Sequence, residues 1–183
     1  MSRFEPALYE RALRALGKPP PPATALEAVD ELEATLEAAS ALCRRWEGFY
    51  SAPYLCPAGV PTIGYGATHY LNGRRVSLRD PSISRETGER MLRRMLADTY
   101  YPQMILLCPG IAGEPPRRKA ALLDFTFNLG AGNLRASHLR RVVNERRWDA
   151  AAVELRKWVM AKGVVLRGLV ARRESEVALL LGT

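Results

Sequence analysis

The pattern of the chain changes abruptly at Gly48, and this change limits the folds that the sequence can adopt. Before it, residues 24–47 place apolar side chains at steps of three and four residues, which indicates a helix with one buried face. That face consists of Val29, Leu32, Leu36, Ala39, Cys43 and Trp46. Thr24 and Glu27 form a capping-box pattern at its start, and Gly48 favours its end. The sequence therefore predicts a long first helix with Glu47 in its last turn.

Turn-forming residues punctuate the segment after Gly48, and the residues between them favour strands. Asn72-Gly73 is a strong signal for a tight hairpin. We therefore predict a small antiparallel sheet over roughly residues 54–77. Gly64 and Gly66 are expected to keep one strand thin, so that a ligand ring can approach its backbone closely.

Three side chains of this region have the chemistry of a hydrolytic site: Glu47, Cys56 and Thr62. The dipole of the first helix disfavours a negative charge at its C-terminal end, and partial burial disfavours that charge as well. We therefore expect Glu47 to be held protonated near neutral pH, as a general acid must be. A Glu before a helix stop is also common on protein surfaces, so its role depends on the turn and strand that follow.

The run WEGFYSAPYLCPAGVPTIGYGA at 46–67 resembles the catalytic segment of the phage-type lysozymes, glycoside hydrolase family 24. In that family an acid, then an Asp or Cys, then a Thr recur at this spacing before an I-G-Y-G run. Weaker similarities follow in the same order: FNLG at 127–130, SHLRRVVN at 137–144 and RGLVARRESEVALL at 167–180. The resemblance implies an endolysin that hydrolyses the β-1,4 bond between N-acetylmuramic acid and N-acetylglucosamine in peptidoglycan, with inversion of configuration.

In the mechanism that the resemblance implies, Glu47 protonates the departing oxygen and Thr62 holds the attacking water. Cys56 stands where the family has either Asp or Cys. A thiol is mostly neutral at pH 7 and is a poorer base than a carboxylate. Three roles for Cys56 stay open: a base acting as a partial thiolate, a group that helps to place the water, and, less favoured, a covalent nucleophile.

The resemblance also implies substrate contacts from Gly66, Thr68, Phe127, Asn128 and His138. The amide of Asn128 can hydrogen-bond a sugar acetamido group, whereas a core position is the stronger expectation for Phe127. His138 stands in a region where the family has a small hydroxyl residue near a helix start.

Two further features bear on the comparison with the family. Ala67 stands where members often carry His, so a polar contact that braces the sheet is expected to be missing or shifted towards His69. The charged residues Arg172, Arg173 and Glu176 are interpreted as structural pairs along or between helices.

The fold class that follows is α+β and mostly helical: a lysozyme-like fold with a small antiparallel sheet lobe at about 48–83 and a helical lobe at about 108–183. A long helix from about Arg85 to Leu107, capped by Ser84, is expected to join them. Residues 43–183 would form the catalytic domain. Residues 1–42 would form a helical extension leading into the first catalytic helix.

Within that extension, residues 3–16 have a helical pattern and the four prolines at 19–22 form a stiff connector. We expect this leader to pack on the body. The net acidic character of residues 1–42 as a whole argues against a role of the extension in binding an anionic surface.

Charge and cysteine content restrict the partners. Residues 1–42 carry 4 basic and 7 acidic side chains, whereas residues 43–183 carry 23 and 12. A basic body suits a polyanionic partner, but charge alone does not distinguish a cell wall from nucleic acid. Three irregularly spaced cysteines do not form a disulfide framework, although a Cys43–Cys108 bridge stays open. Two histidines without ligand spacing lead us to expect no metal and no cofactor.

The sequence also carries expectations about location. No apolar run reaches the roughly 18 residues of a transmembrane helix, and the N-terminus lacks the apolar core of a signal peptide. We expect a monomer made in the host cytoplasm. The resemblance implies that a separate holin-like protein releases it to the cell wall.

Three other functions are weighed against the muramidase. A lytic transglycosylase would use the same acid and leave anhydro-muramic ends. A cysteine peptidase would need a partner His and an orienting group, and the sequence offers no evident orienting group. A non-catalytic cell-wall or nucleic-acid binding module would explain the basic charge but not the combination of Glu47, Thr62 and the glycine-rich strand.

Overall fold

A computed structural model describes residues 25–183, with side chains from Glu27 onward. The leader helix predicted at 3–16, the proline connector and the cap at Thr24 lie outside the described residues.

The first described element is helix α1, Ala25–Trp46, which confirms the long helix before Gly48. Its buried stripe is largely the predicted one: Leu32, Leu36, Ala39 and Cys43 are all buried. Val29 was wrongly included, because it is 38% exposed in a part of the helix whose side chains mostly face solvent. Trp46 is half-buried at the other end.

A two-stranded antiparallel sheet follows, with β1 at Tyr50–Leu55 and β2 at Pro61–Gly64. The register pairs Tyr54 with Thr62 and Leu55 with Pro61. The prediction of a sheet over 54–77 was wrong at both ends, since regular pairing begins at Tyr50 and stops at Gly64.

The reason for the early stop is the backbone of the glycines. Gly64 has φ 66° and Gly66 has φ 94°, so the chain leaves the extended conformation directly after β2. These glycines permit a left-handed backbone rather than merely thinning a strand. The turn at Asn72-Gly73 is formed, with Tyr70 N–H donating to the Arg74 carbonyl at 2.8 Å, but only an isolated bridge flanks it.

The long connecting helix is confirmed, although it is not a regular α-helix. It consists of α2 at Arg85–Met95, a π-helical turn at Leu96–Tyr100 and α3 at Tyr101–Leu107. Ser84 caps α2 by accepting the N–H of Thr87 at 3.1 Å, as predicted. Pro102 cannot donate a backbone hydrogen bond to the preceding turn, and a wider turn directly before it accommodates this loss.

Four further helices build the helical lobe: α4 at Pro116–Ala136, α5 at His138–Asn144, α6 at Trp148–Arg156 and α7 at Arg167–Leu181. Helix α4 packs between α1 and α7 and bends at Gly130, where φ is 84°. A short hairpin, β3 at Met160–Ala161 and β4 at Val164–Val165, was not predicted, because two-residue strands leave no readable alternation.

Two hydrophobic cores correspond to the two lobes. The large core joins α1 to the connecting helix and to α4–α7, and its buried residues include Leu92, Met104, Phe125 and Leu155. The small core lies under the sheet lobe and consists of Ile63, Ala67, Val76 and Met91. Over residues 25–183, none of the helices combines the length and the apolar character needed to cross a membrane.

Candidate active site

Glu47 follows the last residue of α1. Its N–H donates to the Cys43 carbonyl at 2.8 Å, so the helical hydrogen-bond pattern continues for one residue beyond Trp46. Its side chain is 31% exposed and is therefore partly open to a ligand. The helix stop at Gly48 therefore places the candidate acid at the edge of the large core, where the sheet lobe begins.

The other side of the Glu47 carboxyl contacts an arginine that the sequence analysis treated as purely structural. Arg172 of α7 donates from Nη1 to Glu47 Oε1 at 2.5 Å. The environment of Glu47 is therefore a charged hydrogen bond and not the isolated carboxyl at a helix end that we expected. The predicted helix pairing also exists, since Arg173 Nη2 lies 2.6 Å from Glu176 Oε1.

Cys56 lies in the turn between β1 and β2 and is half-buried. The turn is closed by hydrogen bonds from Cys56 N–H to the Val60 carbonyl at 3.1 Å and from Gly59 N–H to the Cys56 carbonyl at 2.8 Å. Hydrogen bonds from the backbone of the turn, at Val60 and Ala58, lower the pKa of the Cys56 thiol. This environment makes the Cys56 thiol more acidic than a free cysteine thiol.

Thr62 lies on β2 opposite Tyr54 and is buried. Its hydroxyl donates to the Val60 carbonyl at 2.9 Å, so its proton is engaged within the turn. The oxygen keeps lone pairs that can accept a hydrogen bond from a water. The structure thus brings Cys56 and Thr62 together through one short turn.

An aromatic pair near these residues was missed by the sequence analysis. The rings of Tyr50 and Tyr54 lie 4.3 Å apart on β1, where residues four apart share one face. The ring of Tyr50 also covers Gly48, because a Cβ added there would lie 3.1 Å from it. Burial raises the pKa of Tyr54, and the nearby charges of Tyr50, Cys56 and Glu47 raise it further. The period-two spacing of the two tyrosines could have revealed the pair.

The candidate substrate residues of α4 lie just before its bend. Phe127 is half-buried and packs edge-on against Tyr100, with ring centroids 5.1 Å apart. Asn128 accepts a hydrogen bond from Arg173 Nη2 at its Oδ1, 3.0 Å away. Asn128 is therefore linked to the residue next to Arg172, while Phe127 has the core contact that was the stronger expectation.

The remaining candidate substrate residues have contacts of their own. Gly66 is exposed, and the Thr68 hydroxyl lies 3.0 Å from His69 Nδ1. His138 Nδ1 lies 2.9 Å from Glu154 Oε1 of α6, and its Nε2 contacts Arg141. His138 is thus engaged on the surface between α5 and α6.

The three cysteines are free, so the bridge between Cys43 and Cys108 that the sequence left open is not formed. Cys43 donates from Sγ to Asp124 Oδ1 at 3.2 Å, and burial together with Asp124 raises the pKa of its thiol. Burial also raises the pKa of Cys108 to about 12. Both thiols stay neutral at physiological pH, and the pKa of each is shifted in the opposite direction to that of Cys56.

Comparisons with known proteins agree with this geometry. The family model for phage lysozyme matches residues 44–176. An endolysin of Acyrthosiphon pisum secondary endosymbiont phage 1 is 33% identical over 144 residues, covering 75% of this chain and 91% of the relative. A SAR-endolysin of Enterobacteria phage PA-2 is 40% identical over 131 residues, covering 71% of this chain and 74% of the relative.

A solved structure is similar over the same region. The crystal structure of the active form of the P1 phage endolysin Lyz aligns with a TM-score of 0.66 at 25% identity, covering 80% of this chain and 84% of that one. The chain therefore belongs to the phage lysozyme family, which makes it a muramidase-type glycosidase of the phage endolysins. The lysozyme-like fold class expected from the sequence is confirmed.

Proposed function

We propose that this endolysin hydrolyses the β-1,4 bond between N-acetylmuramic acid and N-acetylglucosamine with inversion of configuration. Glu47 donates its proton to the departing glycosidic oxygen. A water on the opposite face of the sugar, held by Thr62 and Cys56, attacks the anomeric carbon. An inverting pair needs a separation of roughly 6.5–9.5 Å to leave room for that water.

The observation that carries the proposal is the environment of the Cys56 thiol. Backbone groups of the β1–β2 turn lower the pKa of this thiol, which increases its thiolate fraction at any given pH. A thiolate beside a hydroxyl acceptor is a suitable site for orienting and deprotonating a water. We therefore propose that Cys56 acts as the base, with Thr62 fixing the position of the water.

The substrate contacts stay part of the proposal. Gly66 and Thr68 would contact the glycan from the sheet lobe. Phe127, Asn128 and His138 would contact it from the helical lobe. The half-buried or exposed state of all five is compatible with such contacts.

The domain arrangement and the route to the substrate are further parts of the proposal. Residues 43–183 would be the catalytic domain of a monomer, and residues 1–42 an extension that packs on it. A separate holin-like protein would release the enzyme from the host cytoplasm to the cell wall. Expression with and without a co-expressed holin, followed by culture turbidity, tests the release: lysis without any holin would contradict it.

Digestion of purified peptidoglycan, with products resolved by mass spectrometry, tests the chemistry. The wild type should produce reducing muramic ends, and Glu47→Gln should produce none. Glu174→Gln, a substitution of the same kind on the exposed face of α7, is the control and should cleave normally. Anhydro-muramic ends would identify a transglycosylase, cut peptides a peptidase, and binding without any product a cell-wall binding module.

The stereochemistry has its own measurement. Proton NMR in the first minutes of hydrolysis of a soluble glycan fragment resolves the two anomers of the new reducing end before they equilibrate. We expect the α-anomer from a β-linked substrate. Initial formation of the β-anomer would indicate retention, and would favour Cys56 as a covalent nucleophile over its role as a base.

A further inference from the structure

Asp124 is a fully buried carboxylate on α4 that the proposed mechanism does not use. It accepts two hydrogen bonds from Arg172, Nε to Oδ2 and Nη2 to Oδ1, both at 2.8 Å. It also accepts a hydrogen bond from Sγ of Cys43. Cys43 belongs to α1 and lies four residues before Glu47. These contacts connect three helices that are distant in the sequence.

The geometry of the Arg172–Asp124 pair determines the direction of Nη1, the third donor nitrogen of Arg172. A guanidinium is planar and rigid, so two bonds to one carboxylate fix its orientation. Because Asp124 takes Nε and Nη2, Nη1 is directed outward, and there it donates to Glu47 Oε1. Arg172 itself is only 3% exposed, so it has little freedom to turn away.

The charges of Arg172 and Asp124 also act on the Glu47 carboxyl. An arginine that faced Glu47 alone would favour the carboxylate and oppose the protonated form that a general acid needs. Asp124 offsets that positive charge with its own negative charge. Cys43 from α1, Tyr54 from β1 and Tyr100 from the π-helical turn also interact electrostatically with Glu47. Burial raises the pKa of all three, so they are neutral at pH 7.

We infer that Asp124 is a positioning residue for the general acid. It holds Arg172 so that the guanidinium orients the Glu47 carboxyl, and its negative charge offsets the positive charge of the arginine beside that carboxyl. This inference rests on the proposed role of Glu47 as the acid.

The direct test is a carbon-13 NMR titration of the Glu47 carboxyl carbon, assigned by its absence in Glu47→Gln. In Asp124→Asn the titration midpoint should fall by about one pH unit, because Arg172 then acts on Glu47 without compensation. In Arg172→Gln it should rise by about one pH unit, because the favourable charge is lost. A role of Asp124 in stability alone would not produce shifts of opposite sign.

The control is a second arginine–glutamate pair, which makes no contact with Glu47, Arg172 or Asp124 among the hydrogen bonds of the described residues. Arg156 donates two hydrogen bonds to Glu174 on the exposed side of α7, at 2.8 and 2.9 Å. Glu174→Gln breaks that pair and should leave the Glu47 midpoint unchanged. Melting curves and circular dichroism establish that each variant is folded before it is titrated.

Activity gives a second readout with the same signs. Cleavage requires protonated Glu47, so the fall of kcat at high pH should move to lower pH in Asp124→Asn and to higher pH in Arg172→Gln. At a pH above the Glu47 midpoint we expect kcat of Asp124→Asn to fall about tenfold, as a one-unit shift of that midpoint implies. KM should stay within a factor of about two, because Asp124 is buried away from the substrate.

An unchanged midpoint in folded Asp124→Asn would overturn the inference. If that variant does not fold, an unchanged midpoint in Arg172→Gln would overturn it equally. Failure of the proposed function is a different result, since an active Glu47→Gln would remove the acid role but leave the titration shifts intact. Inactive Glu47→Gln together with unshifted midpoints would overturn the role of Asp124 alone.

Discussion

The two halves of the site are built in opposite ways. The turn of the sheet lobe brings Cys56, Val60 and Thr62 together within seven successive residues and largely through the backbone. The helical lobe connects Glu47 to Arg172 across 125 residues and Arg172 to Asp124 across 48, through buried side chains. The first half depends on local turn geometry and the second on packing, so we expect mutations in them to have different consequences.

The largest effect is expected for the acid itself. Glu47→Gln should lower kcat by roughly 10³-fold or more, because an amide cannot donate the proton that a general acid supplies. Stability should change little, since Gln keeps the shape and one acceptor for Arg172. Turnover of purified peptidoglycan, measured beside a urea unfolding curve, separates the two quantities. Near-normal turnover would remove Glu47 from the mechanism.

The next effect is on stability and belongs to the buried half. Arg172→Ala leaves Asp124 buried without its partner and should cost roughly 3–5 kcal/mol of the free energy of unfolding. Arg156→Ala removes one partner of the exposed pair with Glu174 and should cost at most about 1 kcal/mol. Chemical denaturation of both variants measures the difference. Equal losses would mean that the buried network does not hold the helices together.

A smaller effect, visible mainly in the pH profile, is expected in the local half. If Cys56 acts as a base, activity is present above its thiol pKa and falls as the pH drops through that value. Backbone hydrogen bonds lower this pKa, but a carboxylate with a pKa of about 3.9 titrates lower still. Cys56→Asp should therefore preserve or raise activity at pH 7 and extend it to lower pH.

Rates of Cys56→Asp and wild type from pH 4 to 8 on one soluble substrate check this prediction, with Cys56→Ser as the control that cannot ionise. An acidic limb at the same pH in all three would assign the thiol to a role other than the base. A large loss in Cys56→Asp alone would indicate a specific requirement for sulfur.

The smallest effect is expected for the aromatic pair beside the site. If the exposed ring of Tyr50 contacts a sugar, Tyr50→Ala should raise KM about three- to tenfold with kcat nearly unchanged, since such contacts contribute roughly 0.5–1.5 kcal/mol. Leu55→Ala is a matched control, because Leu55 is similarly exposed on β1 but lies on the opposite face. Equal changes in both variants would exclude a specific ring contact.

Much of the fold was predictable because its boundaries are encoded by neighbouring residues. Helix α1 ends two residues before Gly48, and Ser84 and Ser137 begin α2 and α5 by accepting backbone N–H groups three positions further on. The extent of the sheet was not predicted, because strand-forming residues after Gly64 cannot pair regularly once Gly64 and Gly66 adopt positive φ. A propensity pattern does not include that bend.

The sequence by itself determined the helix stop that exposes Glu47 and the turn that joins Cys56 to Thr62, because both depend on hydrogen bonds between close neighbours. Only the tertiary structure decided that Arg172 faces Glu47 and that Asp124 holds it there. In the sequence, Arg172 is one of several charged residues on a helix, and its charge pattern is equally compatible with a solvated face. Its partners are specified by the packing of α1, α4 and α7, which depends on how whole helices fill the core.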